Sequence, residues 1–337
     1  MNKMKKTALG LACVCALGAC GLTGCKKDKN EIFVYMPDGA PALALAGAMA
    51  GDTDDDGVSY RVVDASSVTA RVSYQDQAQN ADICVLPLNS ATKILGDGEA
   101  YQMLGAVTHG NLFLVSKKGE TQYTADNLNA LKGKTVGVLQ LDKVPGLTLK
   151  TVLKKHGLEF YEGEQTQTDK VRLVALSSAQ DMAVTEADCF LLAEPAVSAQ
   201  AKNGYQIVGD LQALYGGENG YPQAVLVAKK SLILQDEAWV RAFIDTVKTS
   251  VQWLETASGA QIVSAVESHL EDMNYATSLK AQILDIEGVK ARCGVRFEQS
   301  LDCAMRASEY LALAKTVNEK LAVLPDGNFY CMINFGK

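Results

Sequence analysis

Met103-Leu-Gly-Ala-Val-Thr-His109-Gly-Asn111-Leu-Phe-Leu-Val-Ser-Lys117 is a long apolar run interrupted at His109-Gly110-Asn111. A strand signal broken by glycine suits a chain that leaves one sheet and enters another. Upstream, three βα units are complete by Leu95: strands Glu31–Met36, Tyr60–Asp64 and Ala81–Leu86, the first followed by a Pro-Asp-Gly turn and a helix over Pro41–Ala50. Downstream a second series runs through Thr135–Leu139, Arg172–Leu176, Asp188–Ala193 and Gln206–Gly209. Tyr221–Lys229 (YPQAVLVAK) is a second apolar crossover, and from Asp236 the chain reads as almost wholly helical, with Glu237–Thr256 around Trp239 and Trp253.

Strands alternating with helices build a mostly parallel sheet covered on both faces. Two crossovers bracketing an inserted α/β segment imply a two-lobe α/β molecule with a cleft between its halves. The expected organisation is a discontinuous lobe 1 over 31–112 and 222–337, carrying a helical C-terminal region, and lobe 2 over 113–221. No repeat of solenoid period occurs.

The N-terminus carries Lys3, Lys5 and Lys6, a small apolar core over Thr7–Gly21, and Leu22-Thr-Gly-Cys25. This resembles an export signal ending in the lipobox of bacterial lipoproteins, with residues 1–24 removed, Cys25 acylated and 25–30 a polar tether. Leu17-Gly-Ala-Cys20 fits the same pattern five residues earlier. The expected location is extracytoplasmic, lipid-anchored to the cell membrane, with a soluble body of about 312 residues, long enough for two cores. The balance of 39 carboxylates against 32 Lys and Arg, with no basic block after the tether, excludes nucleic acid as a partner. Cys84 and Cys189 lie in apolar strand runs as small hydrophobes, whereas Cys293 and Cys303 are either free or paired.

In open parallel sheets, ligands sit at the carboxyl ends of strands, against helix N-termini. The loops at those positions are Pro37–Ala42, Pro87–Ala91, Thr108–Asn111, Gln140–Gly146, Glu194–Ala196 and Tyr221–Gln223, each of which also reads as turn and cap chemistry. In this order, Met36-Pro-Asp-Gly-Ala-Pro-Ala-Leu-Ala, Ala81-Asp-Ile-Cys-Val-Leu-Pro-Leu-Asn-Ser-Ala, Leu131-Lys-Gly-Lys-Thr-Val-Gly-Val, Ala193-Glu-Pro-Ala and Leu324-Pro-Asp-Gly-Asn-Phe-Tyr resemble extracytoplasmic solute-binding proteins of ABC importers. The branch is that of nitrate, sulfonates, taurine and thiamine precursors. The resemblance implies a type II periplasmic-binding-protein fold closing on one small molecule, partnered by a permease and its ATPase, without catalysis or cofactor, as a monomer. Its implied ligand groups are Asp38, Gly39, Ala40, Asn89, Ser90, His109, Gly110, Asn111, Gln140, Pro145, Gly146, Glu194, Tyr221 and Gln223. A sensing lipoprotein, or a lyase or pyrimidine-precursor enzyme on the same fold, is the alternative.

Among these loops only Lys143 is basic, while Asp38, Asp142 and Glu194 are acidic. That favours a neutral or cationic ligand over an anion, unless Asp38 and Glu194 are helix-cap partners. Asp52–Gly57 matches the first half of an EF-hand loop, but position 12 is Val63, so an acidic turn is expected and no metal. His109, His156 and His269 lack zinc spacing.

Overall fold

The computed structural model describes residues 31–53, 57–72, 80–119, 122–216 and 220–336. The export signal, the tether and Cys25 lie outside the described residues, as do Asp54, Asp55 and Asp56 of the acidic turn.

The apolar runs upstream of His109 become β1 (Ile32–Pro37), β2 (Val58–Val63), β3 (Ile83–Pro87) and β4 (Tyr101–Thr108), with α1 (Ala40–Leu43), α2 (Ala46–Ala50) and α3 (Leu88–Leu95) between them. Beyond the break come β5 (Leu112–Ser116), β6 (Thr135–Leu139), β7 (Phe160–Tyr161), β8 (Val171–Leu176), β9 (Cys189–Ala193) and β10 (Gln206–Asp210). Their helices are α4 (Val144–Lys155), α5 (Ala196–Gln200) and α6 (Leu211–Gly216). The chain returns through β11 (Ala224–Lys229), then α7 (Lys230–Gln235), α8 (Glu237–Thr256), α9 (Gly259–Glu267), α10 (Ala281–Leu284), α11 (Val289–Arg292), β12 (Val295–Gln299) and α12 (Ser300–Val317).

Two six-stranded sheets result, ordered β12-β4-β11-β3-β1-β2 and β10-β5-β9-β6-β8-β7. The interruption at His109 is the passage from the first to the second. Both sheets are mixed: β1, β2 and β3 pair in parallel, as do β6 to β9, but the strands next to the crossovers, β4, β5, β10 and β11, pair antiparallel, as does β12 with β4.

Two expectations need correction. The helix expected over Pro41–Ala50 is divided at the fully buried Ala44 and Leu45, where packing overrides helix propensity. The C-terminal region, expected to be almost wholly helical, also carries β12 on the edge of the first sheet; Val295-Arg-Phe-Glu alternates apolar and polar residues with the period of a strand.

The cores are unequal. One cluster covers one face of both sheets, joining Ala106 and Val225 of the first to Leu114 and Val136 of the second through α4 and α12. On the opposite face each sheet has its own cluster. All five described cysteines are free and buried, with Cys293 and Cys303 in different clusters. Among the described residues no helix is long and apolar enough to cross a membrane, and no group of His, Cys, Asp or Glu could hold a metal. Asp52 instead accepts from His269 Nε2 at 2.9 Å.

Candidate functional site

The carboxyl ends of the parallel strands present Asp38 after β1, Asp64 after β2, Gln140 after β6 and Glu194 after β9. Of these, Glu194 lies against the two crossovers, 108–112 and 220–224, which are tied together. Gln223 N donates to Thr108 O at 2.9 Å, Ala224 N to Thr108 Oγ1 at 3.0 Å, and Gln223 Nε2 to Asn111 Oδ1 at 2.8 Å. Asn111 Nδ2 in turn donates to Glu194 O at 3.2 Å, and Glu194 N to Asn111 O at 2.8 Å. At Gly110 (φ 72°) a Cβ would lie 2.8 Å from Gln212 Oε1 and 3.1 Å from Tyr221 Oη. His109, Gly110, Asn111, Glu194, Tyr221 and Gln223 of the expected set are therefore one cluster.

His109 is fully enclosed, with Nε2 2.9 Å from Glu298 Oε2. Burial lowers its pKa against the pull of Glu298, and the charges of Arg296 and Arg306 lower it further. Burial raises the Glu298 carboxyl, but the His109 hydrogen bond and the charges of Arg306 and Arg296 outweigh it and hold the group ionised. The imidazole is thus neutral, with its proton on Nε2 as assigned from this network, and Nδ1 is a bare acceptor. Burial likewise holds the Tyr221 hydroxyl well above its ordinary range, reinforced by Tyr310 and Asp210, so it stays a neutral donor.

Four buried atoms here have no hydrogen-bond partner among the described residues: His109 Nδ1, Gln212 Nε2, Tyr221 Oη and Gln223 Oε1. Each such atom costs roughly 1–3 kcal/mol unless something satisfies it. All four are uncharged.

Of the three acidic loop residues expected to give the cleft its charge, Asp38, Asp142 and Glu194, the first and last are occupied. Asp38 accepts from Tyr275 Oη at 3.1 Å, Ser278 N at 2.7 Å and Thr277 Oγ1. Glu194 accepts from Ser198 N at 3.0 Å and Ser198 Oγ at 2.7 Å in the first turn of α5, and from Arg292 Nε at 2.8 Å. Glu194 is thus shared between the first turn of α5 and Arg292. Across the cleft, Asp64 is held low by the Ser66 hydroxyl and amide and by the Lys143 charge.

The other expected residues lie apart from the cluster. Asn89 Nδ2 donates to Leu321 O at 3.1 Å and fastens the C-terminal segment, with Ser90 half-buried beside it in α3. Gly39 (φ 97°) leaves its α-carbon face open, since the nearest atom to a Cβ would be Ser278 Oγ at 3.8 Å, and Ala40 begins α1. Gln140 is exposed and left-handed (φ 62°), an uncommon conformation for a side-chain-bearing residue. Pro145 and Gly146 form the first turn of α4.

Sequence reasoning missed Ser198, Gln212, Arg292 and Glu298. Gln212 follows β10, so the strand-end rule applied to that strand would have found it. The others have no local motif.

A family model described as NMT1/THI5 like matches residues 63–257. No curated protein matches the chain. In structure the chain is similar to an ABC transporter protein from Parabacteroides distasonis, with TM-score 0.68, 20% identity, and 90% of this chain and 99% of that one covered. It is also similar to the periplasmic aliphatic sulphonate binding protein of Escherichia coli (TM-score 0.59, 13% identity, 88% and 93% covered). A Candida albicans protein described as exhibiting the generic periplasmic binding protein structural fold matches with TM-score 0.52, 12% identity, and 86% and 91% covered. The chain has this two-lobe fold.

Proposed function

Because the chain belongs to the NMT1/THI5-like family, we propose that it is an extracytoplasmic solute-binding protein, lipid-anchored through Cys25, which captures one small molecule between its lobes. Lobe 1 spans 31–112 and 222–337, lobe 2 spans 113–221, and the crossovers between them are the hinge. Closure follows from differential affinity: a ligand touching both lobes binds the closed arrangement better and shifts the population toward it. The closed monomer then presents its cargo to the permease and ATPase of an ABC importer. The site binds and releases without covalent chemistry.

The observation that carries this reading is the set of four unpartnered, uncharged polar atoms at the crossovers. They offer a ligand both acceptors, at His109 and Gln223, and donors, at Gln212 and Tyr221. With Asp38 and Glu194 satisfied internally and Arg292 engaged by Glu194, the ligand is a neutral polar molecule rather than a sulfonate or an ammonium.

A thermal-shift screen of the full chain against neutral polar metabolites and their charged analogues tests this. A true ligand at a hundredfold excess over its Kd adds about 2.7 kcal/mol of stability. Stabilisation by anions alone would overturn the ligand class, and turnover of a candidate without stabilisation would overturn the receptor.

A further inference from the structure

The two lobes are joined differently on their two faces. On one face the joint is hydrophobic: Tyr310 of α12 stacks on Tyr221 at 4.9 Å and meets Tyr215 edge-on at 5.5 Å. Its hydroxyl lies 2.9 Å from Thr148 Oγ1 of α4, and Lys154 Nζ donates to Thr316 O at 3.2 Å. This seam belongs to the single cluster that runs through both sheets, so separating it would expose packed apolar surface.

On the other face the clusters are separate: Val289 and Cys293 of the α11 segment belong to the first-sheet core, Phe190 and Val197 to the second-sheet core. Arg292 spans the gap. It ends α11, yet its Nε lies 2.8 Å from Glu194 Oε1 and its Nη2 2.9 Å from Ser198 Oγ on the second lobe. The Glu194 side chain is 0% exposed and that of Arg292 32%. A buried carboxylate deprived of its cation strongly disfavours the arrangement that buries it.

We propose that Arg292 is a latch: opening pivots on the α4–α12 seam, and the Arg292–Glu194–Ser198 contact holds the opposite face shut. Opening breaks these polar contacts and lets water solvate Glu194. Arg292 is then a positioning residue that sets the closed population, and through it ligand affinity; this second consequence rests on the solute-binding reading.

Small-angle X-ray scattering of the full chain without added ligand tests the latch by itself. Arg292→Met keeps the aliphatic stem and removes the charge, so the open fraction should rise roughly tenfold or more and the radius of gyration with it. Arg292→Lys should restore part of the compactness. An Arg292→Met chain that unfolds cooperatively yet keeps the parental radius overturns the proposal. Should Arg292→Met not fold, Ser198→Ala, which removes one hydroxyl from the latch, should expand the chain less but in the same direction; an unchanged radius is again contrary. Failure to find a ligand leaves these scattering outcomes intact. A ligand-binding protein whose radius ignores Arg292 sinks the latch alone.

Discussion

Gly146 shows how backbone packing alone can fix a residue's identity. A Cβ there would fall 1.9 Å from Leu141 O, which is backbone and cannot give way, so only glycine lets the loop after β6 fold against the start of α4. Gly146→Ala should cost about 3 kcal/mol in urea denaturation, at the upper end of overpacking penalties; parental stability would refute the contact. His109 makes a different prediction. Its pKa is lowered on folding, so the unfolded chain takes up a proton that the folded chain refuses. The stability it contributes is complete above the unfolded value of about 6.5 and is lost as pH falls from there through the lower folded value. His109→Gln should therefore flatten the decline in stability as pH falls below about 6.5. A parallel decline in both chains would contradict it. His109 was legible because it interrupts an apolar run, whereas Arg292 was not, since its partner Glu194 lies 98 positions away and the intervening chain carries no motif.

Elements were legible where their period was long. The helix Glu237–Thr256 was read to its ends because its amphipathic pattern runs for 20 residues and Asp236 caps it, accepting from Trp239 N at 3.0 Å. Asp236→Ala should lower stability by about 1 kcal/mol without altering ligand response; a thermal melt showing no loss would mean the cap is redundant. Short elements were harder. β12 has five residues and its pairing partner β4 lies far upstream, so its alternation carried little weight beside the helical signals around it. The expected charge of the cleft shifted for the same reason: the donors that satisfy Asp38 come from Tyr275, Thr277 and Ser278, more than 230 positions away.

At the scale of the molecule, two sheets are joined by two crossovers whose buried polar groups are only partly satisfied among the described residues. The resemblance read from loop order led to the fold, and the family match over 63–257 is consistent with it. What loop order did not show is that Asp38 and Glu194 are engaged internally, which supports the proposal of a neutral rather than a cationic cargo. The account's central claim is that the crossover cluster holds one small molecule and releases it unchanged. Native mass spectrometry of the full chain, incubated with a cellular small-molecule extract, tests this directly. The account predicts one non-covalent adduct per chain, of low mass, recovered intact on denaturation and weakened at least tenfold by Gln223→Ala. A folded chain that retains nothing from any extract, or that returns its guest chemically altered, would contradict it.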